Sequence, residues 1–312
     1  MVTAPAAPAP APAVAAPPET PGTNAQPADR LADAFAAART ENRALLIGYL
    51  PAGFPSFEGG VAALEAMVDG GVDVLEVGLP YSDPLMDGPT IQDAVVQALA
   101  AGTRTRDVIA TVARVAQRVP TLVMTYWNPI EQQGPEAFAA ALSGAGAVGA
   151  ITPDLVPEEA GQWLAAAAQH GIAPVFLVAP SSSDERIAVV GRTNRGFVYA
   201  ASAMGVTGTR TAIGNRAEEL VGRTRPHTDL PVAVGLGVSG GTQAAEVAGY
   251  ADAVIVGSAF VRALLDAATP EAGVAAVRAL AVDLAAGVRR HRAGQPVQPG
   301  HRVQPGQPGQ PT

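Results

Sequence analysis

Two acidic residues stand out where a short apolar run meets a loop rich in proline and glycine. The segment covers residues 73–92 and contains Glu76 and Asp87. If the run is a strand, Glu76 shares one face with Val72 and Val74, because alternate side chains point the same way. Apolar surroundings desolvate a carboxyl group and raise its pKa, which suits it for moving protons near neutral pH. The segment therefore predicts an acid–base site.

Each carboxylate also has an ordinary structural interpretation. Glu76 could pair with an arginine or face outward, since strand ends often carry polar residues without a catalytic role. Asp87 belongs to a loop stiffened by Pro84, Gly88 and Pro89, and most loop aspartates form Asx turns or helix caps. The pattern alone leaves both interpretations open for Glu76 and favours the turn or cap for Asp87.

Glycine-bearing loops follow the last three apolar runs and suggest a place for a phosphate. They are GVTG at 205–208, GLGVS at 235–239 and GS at 257–258, the last followed by a helical stretch at 259–268. Backbone N–H groups in such loops, with a helix N-terminus behind them, attract anions. In barrels a phosphate commonly binds after strands 7 and 8. Ordinary turns explain any single one of these glycines equally well.

Several kinds of chemistry are excluded by residues that the chain lacks. It contains no lysine and no cysteine, so a Schiff-base aldolase, a self-contained pyridoxal enzyme and thiolate catalysis are all excluded. The histidines are His170, His227, His291 and His301, and none ends a predicted strand or has ligand spacing. We therefore expect no metal site.

Charge and hydropathy limit the classes of partner that the protein is expected to bind and its expected location in the cell. The net charge is −8 and no basic run occurs, which argues against nucleic acid as the main partner. No apolar stretch of about 18 residues suggests a membrane span. The N-terminus lacks the basic and apolar regions of a secretory signal. We expect a soluble cytoplasmic protein that uses no membrane.

The elements that position these residues alternate along the chain. A helix at 28–40 precedes the first strand, and Ala-rich helical stretches separate most of the later strands. The eight predicted strands cover 44–49, 72–78, 121–126, 147–152, 174–178, 196–200, 231–235 and 253–257. Strands this apolar are buried on both faces, as parallel strands are. They predict an α/β fold, a single (β/α)8 TIM barrel with an extra N-terminal helix. A doubly wound sheet is the alternative, but no Gly-x-Gly-x-x-Gly follows the first strand.

The ends of the chain differ from its middle in composition. Residues 1–27 are rich in Ala and Pro, and residues 294–312 are rich in Gln, Pro and Gly. Neither stretch has enough apolar surface to offset the entropy of ordering it, so we expect two disordered Pro-rich tails. The catalytic barrel domain is then expected to span 28–293.

Several of the motifs resemble those of a known family. LEVGLPYSDPLMDGPTIQ is similar to the signature of tryptophan synthase alpha chains. Further motifs follow in the family's order: LIGYLPAGFP, MTYWNP, ITPDLVPEE, FLVAPSS, GFVYAASAMGVTG, VGLGVS and VIVGSAFV. The resemblance covers roughly residues 30–290. It implies a lyase of L-tryptophan biosynthesis that cleaves indole-3-glycerol phosphate to indole and glyceraldehyde 3-phosphate.

The resemblance also implies roles for individual residues. Glu76 matches the acid–base catalyst, Asp87 matches the residue that engages the indole N–H, and Tyr199 matches a tyrosine packed beside the glutamate. Tyr126, another aromatic residue near a strand end, is a candidate to line the substrate pocket, although ordinary packing explains it equally well. Phosphate binding is carried over to four residues: Gly208, Gly237, Gly257 and Ser258.

A partner is implied as well. The family assembles with a tryptophan synthase beta chain as an α2β2 heterotetramer, and the beta chain carries pyridoxal phosphate, so no cofactor is expected in this chain. Candidate contact segments are Pro80–Pro89 and Asn128–Gln133. Two departures from the family pattern are Phe54, where many members have Asp, and Ala203, where many have Arg.

Two other functions are consistent with the sequence. One is a non-catalytic barrel subunit that binds a phosphate ligand and activates a partner. The other is a phosphate-binding barrel isomerase, which would need acid–base groups at the ends of strands 1 and 5. Those ends offer Tyr49 and the segment Ser181–Asp184.

Overall fold

The architecture comes from a computed structural model that describes residues 27–201 and 210–290. Nine parallel strands form one sheet in the order β5-β4-β3-β2-β1-β9-β8-β7-β6. The two strands at the ends of this order, β5 and β6, are consecutive in the chain and separated by Phe176 alone. The sheet therefore curls round into a barrel whose edges meet at one interrupted strand.

Helices alternate with these strands, as the apolar runs predicted. The strands are β1 (Leu45–Pro51), β2 (Val74–Gly78), β3 (Thr121–Met124), β4 (Gly149–Ile151), β5 (Ala173–Val175), β6 (Leu177–Val178), β7 (Val198–Ala201), β8 (Val232–Gly235) and β9 (Ala253–Val256). The helices are α1 (Pro27–Thr40), α2 (Phe57–Asp69), α3 (Pro89–Ala100), α4 (Thr105–Val115), α5 (Trp127–Gln133), α6 (Pro135–Gly144), α7 (Gly161–His170), α8 (Asp184–Thr193), α9 (Arg210–Thr224), α10 (Gly241–Ala248), α11 (Ser258–Leu265) and α12 (Pro270–Val288), with a short 3-10 helix at Arg225–His227.

The interruption between β5 and β6 has a specific cause in a buried asparagine. The backbone N–H of Phe176 donates to Oδ1 of Asn194 over 3.0 Å, and Nδ2 of Asn194 donates to the Phe176 carbonyl over 2.9 Å. The same Nδ2 donates to the carbonyl of Phe197 over 3.0 Å. A side-chain amide thus replaces a neighbouring strand at this position. The single strand predicted at 174–178 is therefore two short strands.

Two apolar clusters stabilise the barrel, one inside it and one between the sheet and the helices. Ile47 and Val74 belong to the inner cluster, which is filled by alternate residues of the strands. The extra helix α1 contributes Leu31 and Phe35 to the same cluster. Leu31 lies against Gly196, just ahead of β7, so α1 closes the end of the barrel at which the strands begin.

The structure confirms the predicted barrel and its extra N-terminal helix. Each of the eight predicted strands overlaps an observed one, with ends that differ by up to two residues. The predicted tails lie almost wholly outside the described residues, and the domain bounds at 28 and 293 stay a prediction. No helix in the described ranges has the length and apolarity that crossing a membrane requires.

Candidate active site

Glu76 lies in the middle of β2 and its side chain faces the barrel interior. It shares its face with Val74, which belongs to the inner cluster, and it pairs in register with Tyr49 on β1 and Leu122 on β3. Only 1% of its surface is exposed. The alternating pattern of the sequence therefore predicted the orientation of this side chain correctly.

The surroundings of Glu76 favour its protonated form. Burial raises the pKa of Glu76 to about 8, and the nearby charge of Asp87 contributes to the increase. Oε2 of Glu76 is buried and has no hydrogen-bond partner among the described residues. An uncharged carboxyl group with one free oxygen can give a proton to a bound molecule and take one back.

Asp87 approaches Glu76 from the loop between β2 and α3. Burial raises the pKa of Asp87, while a hydrogen bond with Tyr126 acts in the opposite direction. The loop is held by its backbone, because the Met86 N–H donates to the Tyr126 hydroxyl over 3.0 Å and Gln92 donates to the Asp87 carbonyl over 2.8 Å. The loop thus directs Asp87 toward the barrel mouth, although the sequence pattern favoured a turn or cap.

The ring of Tyr49, on β1, lies between two glycines at the ends of the neighbouring strands β2 and β9. Its ring lies on Gly257, where an added Cβ would be 2.9 Å from Cδ1 of the ring, and its hydroxyl lies over Gly78 at the end of β2. Burial and the charges of Asp87 and Glu76 raise the pKa of Tyr49 well above its usual value. From the sequence, Tyr49 is the group at the end of strand 1 that a barrel isomerase would use. The cross-strand packing that makes it part of the site was not visible there.

Tyr199, on β7, lies across the barrel from β2 and has a similar relationship with β8. A Cβ added to Gly235 would be 2.6 Å from the Tyr199 hydroxyl, so the ring occupies the space above this glycine. Burial raises the pKa of Tyr199 well above its usual value, and the charges of Glu76 and Asp87 add to this effect. Tyr199 is therefore within electrostatic range of both carboxylates.

Three of the four predicted phosphate-binding residues lie at the same end of the barrel. Gly257 is the N-cap of α11, Ser258 is the first residue of this helix, and both are partly exposed. Gly237 follows β8 with a φ of 69°, a conformation that favours glycine. The N-terminus of α11 therefore presents backbone N–H groups close to the Tyr49 ring. Gly208 lies outside the described residues.

Histidine and carboxylate side chains do not gather into a metal site in the part of the chain that the structure describes. His170 instead forms a 2.6 Å contact with Glu136 on the helical surface, and His227 belongs to the 3-10 helix. His291 and His301 lie outside the described residues.

A comparison with protein families identifies the chain. The family model of the tryptophan synthase alpha chain matches residues 35–289. This chain belongs to the tryptophan synthase alpha chain family. The alpha chain of Streptomyces avermitilis is 59% identical over 261 residues, which cover 83% of this chain and 94% of the relative. The alpha chain of Acidothermus cellulolyticus is 58% identical over 259 residues, which cover 83% and 96%.

Solved structures of tryptophan synthase share this fold. A chain of the enzyme from M. tuberculosis is 50% identical with a TM-score of 0.77, and the match covers 83% of this chain and 98% of that chain. The alpha subunit from Legionella pneumophila is 31% identical with a TM-score of 0.76, and the match covers 83% and 98%.

The two departures from the family pattern have different outcomes. Phe54 is 1% exposed and packs in the outer apolar cluster, so this position makes an apolar contact instead of a polar one. Ala203 lies outside the described residues.

Proposed function

We propose that this tryptophan synthase alpha chain cleaves indole-3-glycerol phosphate to indole and glyceraldehyde 3-phosphate, with Glu76 and Asp87 as its catalytic residues. The observation that carries the proposal is the state of Glu76. Its carboxyl group is buried in the barrel, has a pKa of about 8 and keeps one oxygen without a partner among the described residues.

A protonated Glu76 fits the first half of the cleavage. Indole becomes a leaving group only after its C3 carbon is protonated, and a carboxyl group with a pKa of about 8 holds the required proton at neutral pH. The proton moves from Glu76 to C3, which gives a cationic indolenine. Glu76 is then a carboxylate and can act as a base.

The second half returns the proton. Glu76 removes the proton from the hydroxyl on the carbon attached to C3, the C–C bond breaks, and its electron pair restores the aromatic indole. The hydroxyl carbon becomes the aldehyde of glyceraldehyde 3-phosphate. One proton is given and one is taken back, so the reaction consumes none.

Asp87 supplies the complementary charge. Burial raises the pKa of Asp87, and its hydrogen bond with Tyr126 opposes this rise by stabilising the ionised form. An ionised Asp87 accepts the indole N–H and stabilises the positive charge that develops on the ring. Two carboxylates in different environments thereby take different parts in one reaction.

The remaining site residues orient the substrate. We assign the phosphate to the backbone N–H groups at Gly257 and Ser258 together with the loop at Gly237. Tyr199 and Tyr49 then form walls of the indole pocket, since both are within range of the two carboxylates. Tyr126 holds the Asp87 loop.

The proposal includes the partner. This chain works with a tryptophan synthase beta chain, which carries pyridoxal phosphate, and we propose an α2β2 assembly. The segments 80–89 and 128–133 are the proposed contact surface. We assign no cofactor and no metal to this chain, and we place the reaction in the cytoplasm.

A barrel isomerase is less consistent with the end of strand β6. Ser183 caps α8 by accepting from the Arg186 N–H, and Asp184 pairs with Arg223 over 2.8 Å. These groups are already engaged in structural contacts, so they are poorly placed to act as the second acid–base group that an isomerase needs.

The test is indole release from indole-3-glycerol phosphate by the purified chain, alone and with a beta chain. We expect weak activity alone and strong activity with the partner. Glu76→Gln should lower turnover by at least ~100-fold, the usual contribution of a general acid–base group. Glu219→Gln, an exposed change on α9, is the matched control and should leave turnover unchanged. Near-normal turnover in Glu76→Gln would refute the mechanism, and activation of a beta chain without indole release would indicate a non-catalytic subunit.

A further inference from the structure

We propose that Asp154 is a positioning residue that fixes Asp87 through Tyr126, an inference that rests on the function proposed above. Asp154 lies in the segment after β4. Its carboxylate accepts the backbone N–H of Trp127 at both oxygens, over 2.9 Å to Oδ1 and 3.1 Å to Oδ2. We assign Asp154 no step of the reaction, because its carboxylate is engaged by a backbone N–H.

The contact holds the start of α5. The first N–H groups of a helix have no partner within the helix, and α5 begins at Trp127. Tyr126 is the N-cap residue, but its side chain makes no cap hydrogen bond. The Asp154 carboxylate supplies that acceptor from a neighbouring loop, and it thereby fixes the backbone at the residue whose ring reaches the Asp87 loop.

Tyr126 and the first turn of α5 contact the loop that carries Asp87 at two points. The Tyr126 hydroxyl accepts from the Met86 N–H over 3.0 Å, directly before Asp87. Nδ2 of Asn128, in the first turn of α5, donates to the Tyr81 hydroxyl over 3.1 Å. The rings of Tyr81 and Tyr126 also pack with their centroids 5.4 Å apart.

Through these contacts, the start of α5 determines the position of the loop. Both ends of the segment from Tyr81 to Asp87 are tied to it, so a small displacement of α5 moves the Asp87 carboxylate. A misplacement of about 1 Å in an active site can cost up to ~100-fold in rate. Loss of the Asp154 carboxylate should therefore reduce catalysis without any contact between Asp154 and substrate.

The first experiment compares Asp154→Ala and Asp154→Asn with wild type, using the full chain alone and with a beta chain. Asp154→Ala should lower kcat roughly tenfold with a smaller change in KM. Asp154→Asn keeps one acceptor oxygen and should recover most of this loss. Glu158→Ala is the matched control, because Glu158 lies in the same segment and pairs with Arg186 instead of α5. It should leave kcat unchanged.

A double-mutant cycle tests the route through Tyr126. If Asp154 acts through the tyrosine hydroxyl, Asp154→Ala should lower kcat less than about twofold in a Tyr126→Phe background. An equal loss in both backgrounds would overturn the proposal, as would an unchanged kcat in Asp154→Ala. If the alanine variant fails to fold, the same cycle is run with Asp154→Asn, whose kcat should then lie between wild type and Tyr126→Phe.

A measurement that needs no activity separates this inference from the proposed function. Hydrogen exchange of the segment that contains Met86 should quicken at least roughly fivefold in Asp154→Ala, because its N–H loses a fixed acceptor. Tyr126→Phe should have the same effect, and the double variant should add little. Unchanged exchange in Asp154→Ala overturns the positioning role even if wild type releases indole. Absence of indole release from wild type overturns the proposed function even if exchange quickens.

Discussion

The ring of Tyr49 lies against Gly257 so closely that a Cβ on this glycine would be 2.9 Å from Cδ1 of the ring. The other end of the ring lies over Gly78, two residues beyond Glu76 on β2. One side chain therefore spans the distance from the N-cap of α11 to the strand that carries the buried carboxyl group. If α11 holds the phosphate, the length of this ring sets the separation between the phosphate and the reacting carbon.

Replacing the glycine under the ring should disturb both stability and substrate binding. In Gly257→Ala the new methyl group meets ring and backbone-proximal atoms of Tyr49, with little room to move in the buried barrel. We expect a loss of about 1–3 kcal/mol in the free energy of unfolding, as for other overpacked sites, and a higher KM. Denaturant titration and steady-state kinetics measure the two effects.

Gly222→Ala provides the control for that experiment. Gly222 is exposed on α9, and an added Cβ would meet nothing within 4 Å. The substitution should stabilise the protein by about 0.5–1 kcal/mol, because alanine favours the helix, and KM should not change. Equal behaviour of the two variants would contradict the role given to Tyr49.

The rate of cleavage should depend on pH through Glu76. The proposed mechanism starts from the protonated carboxyl group, whose pKa is about 8 in the free protein. The value of kcat/KM reports ionisations of the free enzyme, so it should fall about tenfold per pH unit above that pKa. Initial rates of indole release across this range test the expectation. A profile that stays level to about two units above the pKa would show that the protonated form is not required.

The same ionisation should appear in stability. The folded-state pKa of Glu76 is about 8, raised from 4.5, so the folded protein keeps a proton that the unfolded chain has lost between these values. The stabilisation from this proton is complete below the unfolded pKa. It is lost as pH rises toward the folded pKa, by up to about 1.4 kcal/mol per pH unit.

Comparison of Glu76→Gln with wild type isolates this effect. The amide has nearly the same size and carries no charge, so the variant should gain stability relative to wild type as pH rises from about 5 to about 8. Glu219→Gln should show a constant difference across the range. A constant difference for Glu76→Gln would mean that the buried carboxyl group does not have the raised pKa on which the mechanism depends.

Much of the fold could be predicted because its signals are local. Runs of apolar residues predicted every strand, and the alternation along β2 correctly predicted that the Glu76 side chain points into the barrel. The position of Asp87 could not be derived in this way, since it depends on contacts between a loop and Tyr126, the residue before α5. Tyr49 presented the same difficulty, because Gly78 at the end of β2 and Gly257 just after β9 make room for its ring. Interactions between residues distant in sequence leave no periodic pattern.

Asn194 is a further case, and it gives a direct prediction. Its amide pairs with both backbone groups of Phe176 and with the Phe197 carbonyl, and the side chain is buried. Asn194→Asp keeps the acceptor but removes the two donated hydrogen bonds, so two carbonyls lose their partner and a carboxyl group is buried. An unpaired buried polar group costs about 1–3 kcal/mol, and we expect a loss of at least ~2 kcal/mol in the free energy of unfolding.

The loss should also depend on pH, since burial next to two carbonyls opposes ionisation of the new carboxyl group. Its pKa should rise, and a protonated carboxyl group can donate one hydrogen bond back, so Asn194→Asp should be less destabilised in acid than at neutral pH. Asn215→Asp, on the exposed face of α9, is the matched control and should change stability by less than about 0.5 kcal/mol. If the two variants unfold at the same denaturant concentration, the amide does not hold the barrel together where β5 ends and β6 begins.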